Sequence, residues 1–334
     1  MFESEFLTSS NQSKEAYRQA IAQTVNSLCD LWPQHPFSGR NASALAELVP
    51  TNFLPEHGSS IEDIVPILRH VIANSIVVSH PATTAHLHCP PLVASLAAEV
   101  VISALNQSMD SFDQAPIATV VEQKIIGWLC REARLPPNSG GTFTTGGSQS
   151  NYMGLLLARD AFLQRRWNWS AQKDGLPSDA HKLRILCSEV AHFTVKKSAA
   201  QLGLGTNAVV RVGVDDHFRM APSALGQTLD QLRGQRLLPM AVVATAGTTD
   251  FGSIDPLHEI AGLARSPAHG STSMPLMAAR CCFLPGIATS SQASIWPIPL
   301  PSTSTNSSGS RFPQAFSCSA MLAISTPWKC MPTT

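Results

Sequence analysis

The sequence predicts an α/β fold, a mostly parallel sheet with helices on both faces, and three observations predict it. From about residue 137 the pattern becomes strand, loop and helix in repetition. A helical stretch separates most successive strands, which favours parallel pairing with the helices packed on the faces. The loops that follow the strands are polar and rich in small residues, as ligand-facing loops beyond the carboxyl ends of such strands tend to be.

Taken in order, residues 14–30 read as a helix with apolar spacing at Ala20, Ile21, Val25 and Leu28. A Pro/Ser/Asn-rich connection runs to about Pro55. Residues 61–74 read as a helix that Pro66 weakens. Residues 91–106 and 116–133 are two further helical patterns around the polar linker NQSMDSFDQA. GTFTTGGSQSNYMGLLLARDAFLQRR is a short β-prone run, a Gly-Gly-Ser turn and a helix. RILCSEVAHFTVKKSAAQLGL is a strand, a turn and a helix; NAVVRVGVDD is a strand and SALGQTLDQLRGQ a helix. LPMAVVATAGTTDFGSIDPLHEIAGLAR is a strand, a polar loop and a helix, with Asp255 as N-cap and Pro256 at the first helical position. The expected organisation is an N-terminal helical segment over 1–80, a ligand-binding large domain over 81–265 and an aberrant, disordered tail over 266–334.

The 334 residues are 44% hydrophobic with a formal net charge of zero, enough chain for a substantial core. A neutral balance gives no electrostatic reason to bind nucleic acid or an anionic membrane. The first twenty residues are acidic and lack an apolar core, unlike a secretory signal. The most apolar run, LVASLAAEVVISAL, is broken by Glu99 and is too short to span a bilayer. A soluble, cytoplasmic protein is expected. Cys29, Cys89, Cys130 and Cys187 stand singly, as reduced buried thiols do, and no cysteine pair has a metal spacing.

Three motifs carry chemistry. In TTGGSQSN, Thr144 to Asn151, Gly146 and Gly147 allow a tight turn into a helix whose first amides and dipole suit an anion. It is neither a Walker loop nor a dinucleotide fingerprint. In SEVAHFTVKKSAAQLGLG, His192 falls just past a strand end. In TAGTTDFGSIDP, small residues and the hydroxyls of Thr248 and Thr249 follow another strand, leaving room for a flat ligand. Each motif alone also fits an ordinary turn or loop.

Together, over about residues 80–265, the three resemble the group II pyridoxal-5′-phosphate (PLP) dependent decarboxylases of fold type I. The resemblance implies that Gly147, Ser148 and Gln149 hold the PLP phosphate. It implies that His192 stacks on the pyridine ring and takes part in protonation, and that Thr248 lies near the ring. HLHCPPLVASLAAEVVISALNQSMDSFDQAP looks most like the 2,4-diaminobutyrate decarboxylase branch, with His86, His88, Asn106, Gln107 and Asp113 near the substrate entrance. The implied reaction gives 1,3-diaminopropane, serving siderophore or polyamine synthesis, in a homodimer. Glutamate and aromatic amino acids are the alternative substrates, and no metal is expected at the HxHC cluster.

The chemistry also needs a Schiff-base lysine and a carboxylate paired to the pyridine nitrogen. The family supplies them from FHK-like and HVDAAYGG-like segments, and neither is found. No Asp or Glu follows Glu259, and no lysine lies between Lys197 and Lys329. One shifted reading frame restores both. GSTSMPLMAARCCFL, Gly270 to Leu284, permits LHVDAAYGGAVLLS, in which Met274 before Pro275 forces Ala and Met277 before Ala278 forces Gly. WPIPLPSTSTNSSGSRFP, from Trp296, permits ADSITVDFHKLFWQPIS. A frameshift near residues 264–270 is therefore expected, leaving the chain inactive: a non-catalytic remnant or a dimerisation partner of an intact relative.

Overall fold

A computed structural model describes residues 5–49, 51, 59, 61–84, 90–132, 135 and 137–265, with four short strands beyond. The chain divides into two compact units between Gln107 and Ser108. The division falls after the fourth helix rather than at residue 80.

The first unit holds α1 (Asn11–Asp30), α2 (Ala42–Ala46), α3 (Ile61–Asn74) and α4 (Val93–Leu105). Ser10 caps α1 by accepting from Ser13 N, while Ser13 Oγ accepts from Thr8 N in the segment before the helix. The proline Pro66 stands inside α3 and forgoes one intrahelical bond without ending the helix. Asn106 closes α4 in the left-handed conformation (φ 45°), and its N–H donates to Ile102 O. The Tyr17 hydroxyl of α1 donates to Val100 O of α4 at 3.3 Å. α4 exposes Val93, Val101, Ile102 and Leu105 among other apolar side chains. Cys29, expected to be buried, is exposed: it lies in the last turn of α1, whose only buried residue is Ser13.

The second unit begins with α5 (Pro116–Glu132) and the short β1 (Gly140–Thr142). It continues through α6 (Gly147–Trp167), α7 (Ala171–Asp174), β2 (Leu183–Ser188), α8 (Thr194–Gln201), β3 (Val209–Val212), α9 (Pro222–Gly234), β4 (Leu238–Thr245) and α10 (Leu257–Arg265). After it come β5 (Leu276–Ala279), β6 (Ser294–Ile295), β7 (Ile298–Pro299) and β8 (Ala323–Ser325). The main sheet has the order β3-β2-β4-β5, all parallel. β5 shows that the tail, expected to lack regular structure, adds a strand beside β4.

The two faces of this sheet can be read from side-chain parity. Leu183, Ile185 and Cys187 of β2 and Ala241 and Val243 of β4 join Leu155, Ala158, Val195 and Ala199 under α6 and α8. Leu186 of β2 and Val242 and Ala244 of β4 join Leu225, Leu229, Ile260 and Ala264 under α9 and α10. Alternation by two sends neighbours to opposite layers, so both faces are covered. Met240 breaks the parity: Arg184 pairs with Pro239 and Ile185 with Ala241, leaving Met240 as the extra residue of a bulge. Met240 and Ala241 accordingly both pack toward α6 and α8.

Asp255 does not cap α10 as expected. That helix starts at Leu257, and Ile260 N donates to Pro256 O. The Asp255 side chain turns back to the sheet instead. Its Oδ1 accepts from Met220 N at 2.7 Å and its Oδ2 from Thr245 N at 2.6 Å, joining the loop before α9 to the end of β4. Two amides of buried residues need an acceptor and a cap position does not reach them, which is why the carboxylate lies inward. Among the described residues no helix is long and apolar enough to cross a membrane.

Candidate active site

The strand order places a switch point between β2 and β4. From β2 the chain moves outward to β3, then crosses back to β4 on the other side of β2. The connections on either side of β2 therefore diverge, the topology in which ligands bind beyond the carboxyl ends of the strands. His192 lies on the loop leaving β2 and Thr248 on the loop leaving β4.

α6 contributes its N-terminus. Gly146, at its cap position, has no side chain to take up the first amides, and Ser150 N donates to Gly146 O. Gln149 Oε1 accepts from both the N–H and the hydroxyl of Thr145, at 2.8 Å each. This double contact fixes the turn, so an anion contact by Gln149 would come from its backbone N–H. Thr144 Oγ1 and Ser150 Oγ are 2.6 Å apart, tying the β1–α6 loop to the helix. Gly147 is half-buried, and Ser148 and Gln149 are exposed. With the positive end of a 21-residue helix behind them, these amides are suited to a doubly charged phosphate.

The helix start and the imidazole meet through one residue. Asn151, in the second turn of α6, donates from Nδ2 to Thr194 Oγ1 at 2.8 Å. Thr194 Oγ1 lies 2.8 Å from His192 Nδ1. Asn151 and Thr194 are buried and His192 is half-buried, with its ring 4.2 Å from that of Phe193. The Gly-Gly-Ser entrance and His192 thus share one rim.

Thr248 is buried. Its hydroxyl accepts from Ser253 N at 3.1 Å, and its own N–H donates to Ser253 O. Gly247 makes the bend at φ 98°, a conformation that favours glycine. Three ties hold this loop to the one before α9. They are the Asp255 contacts, a Ser253 Oγ bond to His217 O, and the rings of Phe218 and Phe251 stacked 3.9 Å apart and 4° from parallel. Burial pushes the Asp255 carboxyl above its ordinary range, against the downward pull of its two amide bonds.

Of the residues expected near the substrate, His86 and His88 lie outside the described residues. Asn106 and Gln107 are exposed at the end of α4 in the first unit. Asp113 belongs to the second unit and is exposed. The Ser111 hydroxyl donates to it at 2.6 Å and holds its carboxyl below the usual range. Sequence reasoning missed Asn151, Thr194 and the role of Asp255. The first two were visible as the last residue of TTGGSQSN and the hydroxyl two places after His192.

A parallel sheet with a half-buried imidazole linked to an open helix start defines an α/β protein with a candidate anion-binding rim. The chain belongs to the pyridoxal-dependent decarboxylase family, whose conserved domain matches residues 43–276. It is 41% identical over 264 residues to an L-2,4-diaminobutyrate decarboxylase of Rhizobium meliloti (strain 1021), covering 78% of this chain and 51% of that protein. It is 39% identical over 260 residues to the protein of the same name from Acinetobacter baumannii, covering 75% and 50%. Among solved structures it resembles the glutamate decarboxylase domain of diaminobutyrate-pyruvate transaminase and L-2,4-diaminobutyrate decarboxylase from Vibrio parahaemolyticus. That match has a TM-score of 0.79 and 38% identity, and covers 83% of this chain and 60% of that one. The chain spans about half the length of the curated relatives it matches.

Proposed function

We propose that this chain carries the phosphate and ring-face half of the site of a PLP-dependent decarboxylase acting on L-2,4-diaminobutyrate, with 1,3-diaminopropane as product. The observation that carries it is the Asn151–Thr194–His192 link, which sets the open start of α6 and the imidazole on one rim. When bound, PLP supplies the electron sink that amino-acid decarboxylation requires. Gly147, Ser148 and Gln149 hold the phosphate through first-turn amides and the Ser148 hydroxyl. His192 lies against the ring and offers a proton at its edge. Thr248, in its short-side-chain loop, admits the flat ring close to the backbone. His86, His88, Asn106, Gln107 and Asp113 are proposed to face the incoming amino acid.

The residues fit the group at one end only. Asp255, buried at the rim, already gives both oxygens to backbone amides and is not placed to pair with a ring nitrogen as well. The sequence supplies no lysine between Lys197 and Lys329. The match to the family ends at residue 276, close to the proposed frame break at 264–270. We therefore propose that the chain as written is catalytically inactive and that the restored frame is active. The exposed apolar side chains of α4 support a homodimer, and a cytoplasmic setting in siderophore or polyamine synthesis is part of the same proposal.

Two measurements test this. PLP titrated into the chain should bind noncovalently, compete with inorganic phosphate, weaken at least about tenfold in Ser148→Asp, and leave no borohydride-trapped adduct. Trapped cofactor would overturn the inactivity, and binding indifferent to phosphate would overturn the site. The nucleotide sequence across residues 260–310 tests the frame: codons that forbid the shifted reading end it. The frame-restored protein should release carbon dioxide faster from 2,4-diaminobutyrate than from glutamate or aromatic amino acids.

A further inference from the structure

The geometry points to Thr194 and Asn151 as positioning residues that lock His192 in the tautomer with its proton on Nε2. The inference deepens the cofactor-site reading, on which the use of that proton rests.

Three contacts converge. Asn151 Nδ2 lies 2.8 Å from Thr194 Oγ1, Thr194 Oγ1 lies 2.8 Å from His192 Nδ1, and the Thr194 backbone N–H points at the same Nδ1 from 3.4 Å. A hydroxyl and a side-chain amide can exchange donor and acceptor roles, so the first two contacts alone leave the proton undecided. The backbone N–H cannot exchange: it only donates. Nδ1 must therefore present its lone pair, and a proton there would oppose the amide hydrogen. With Nδ1 an acceptor, the Thr194 hydroxyl hydrogen points to it, and the hydroxyl oxygen is left to accept from Asn151. Every hydrogen in the chain of contacts then has one place. Neutral imidazole with Nδ1 unprotonated carries its proton on Nε2.

The arrangement also fixes the ring. His192 is only half-buried and follows β2 on a loop, where a free side chain would rotate about χ1 and χ2. Asn151 and Thr194 are buried and belong to two helices packed on each other, α6 and α8. The imidazole is thereby referenced to the helix proposed to hold the phosphate. His192 is set as a proton donor at Nε2, and its orientation follows from α6.

Long-range proton–nitrogen NMR correlation of the chain with ¹⁵N-labelled histidine reads the tautomer directly. His192→Gln assigns the signal among the 11 histidines. In the wild type, Nδ1 should be the pyridine-type nitrogen and Nε2 the pyrrole-type one. Thr194→Val, which keeps the backbone N–H and the shape, should cut the tautomer ratio about fivefold, the effect of one ordinary hydrogen bond. Thr194→Ser should restore it. If Thr194→Val does not fold, Asn151→Ala should lower the ratio in the same direction. A wild type protonated at Nδ1, or a ratio unchanged in a folded Thr194→Val, overturns the inference. A locked tautomer in a chain that fails to bind PLP would overturn the cofactor reading and leave the positioning role standing. PLP binding with a mobile tautomer would do the reverse.

Discussion

Replacing Asp255 by alanine should destabilise the second unit more than loss of any exposed carboxylate. The side chain accepts from Met220 N and Thr245 N at 2.7 and 2.6 Å, and both donors belong to buried residues. Alanine reaches neither, so two buried N–H groups lose their acceptor at about 1–3 kcal/mol each. Part of this is returned because a carboxylate no longer has to be desolvated, the same burial that raises its pKa. The net expectation is about 2–4 kcal/mol, a large share of the roughly 5–15 kcal/mol typical of a domain. Asp255→Asn keeps one acceptor and turns its NH₂ toward the other amide, so about half the loss is expected. Urea unfolding should show the midpoint falling by about 1–2 M for alanine, given slopes of about 1–3 kcal/mol/M. Hydrogen exchange should speed up at Met220 and Thr245 specifically. An alanine variant within about 0.5 kcal/mol of wild type, with exchange at those amides unchanged, would refute the clasp.

Three further outcomes are expected. Burial pushes the Cys187 thiol up to about 11, so its alkylation in the folded chain should run at least about a hundredfold slower than that of an ordinary thiol. Peptide mapping that finds Cys187 labelled as early as exposed Cys29 would contradict this. A hydrogen bond from the Arg219 side chain, with the Arg219 and His217 amides, holds half-buried Asp215 down to about 2. The folded pKa lies below the unfolded one, so its small, salt-sensitive contribution is present above about pH 4 and lost as pH falls through about 2. A carbon-detected carboxyl titration with its midpoint near 4 would count against it. Asn106→Val should cost about 1 kcal/mol because the position is left-handed, whereas Asn106→Gly should leave stability nearly unchanged. Thermal unfolding checks both, and Asn106→Gly then separates a substrate role in the restored enzyme from the capping role.

The second unit was legible because its signals are local and repeated. The strands RILCS and MAVVAT and the helices after them follow from apolar runs, turn residues and start signals that agree with one another. Residues 61–74 formed the expected helix despite Pro66, since one missing bond weighs little against fourteen helical residues. What stayed hidden was long-range. Asp255 before Pro256 looks like a helix cap in any window of ten residues, and only the return of the chain past Met220 and the end of β4 shows what its oxygens meet. Asn151 and Thr194 are 43 residues apart, and nothing in either segment announces the other. Asn106 was read as a substrate contact, but its backbone shows a helix-ending role as well. The bulge at Met240 leaves no trace in a run where every residue is apolar.

The bulge that absorbs this extra residue decides which way the end of β4 looks. Leu238 and Met240 share a layer with Ala241 and Val243, so the strand changes step once and then keeps the new count to Thr245. Smooth the bulge out while keeping Met240, and the residues after it exchange layers: Val243 would turn toward α9 and α10, and Val242 toward α6 and α8. The turn at Gly247 would then leave the sheet rolled over by half a revolution. One bulge in the middle of a strand thus sets which layer each later residue of β4 joins.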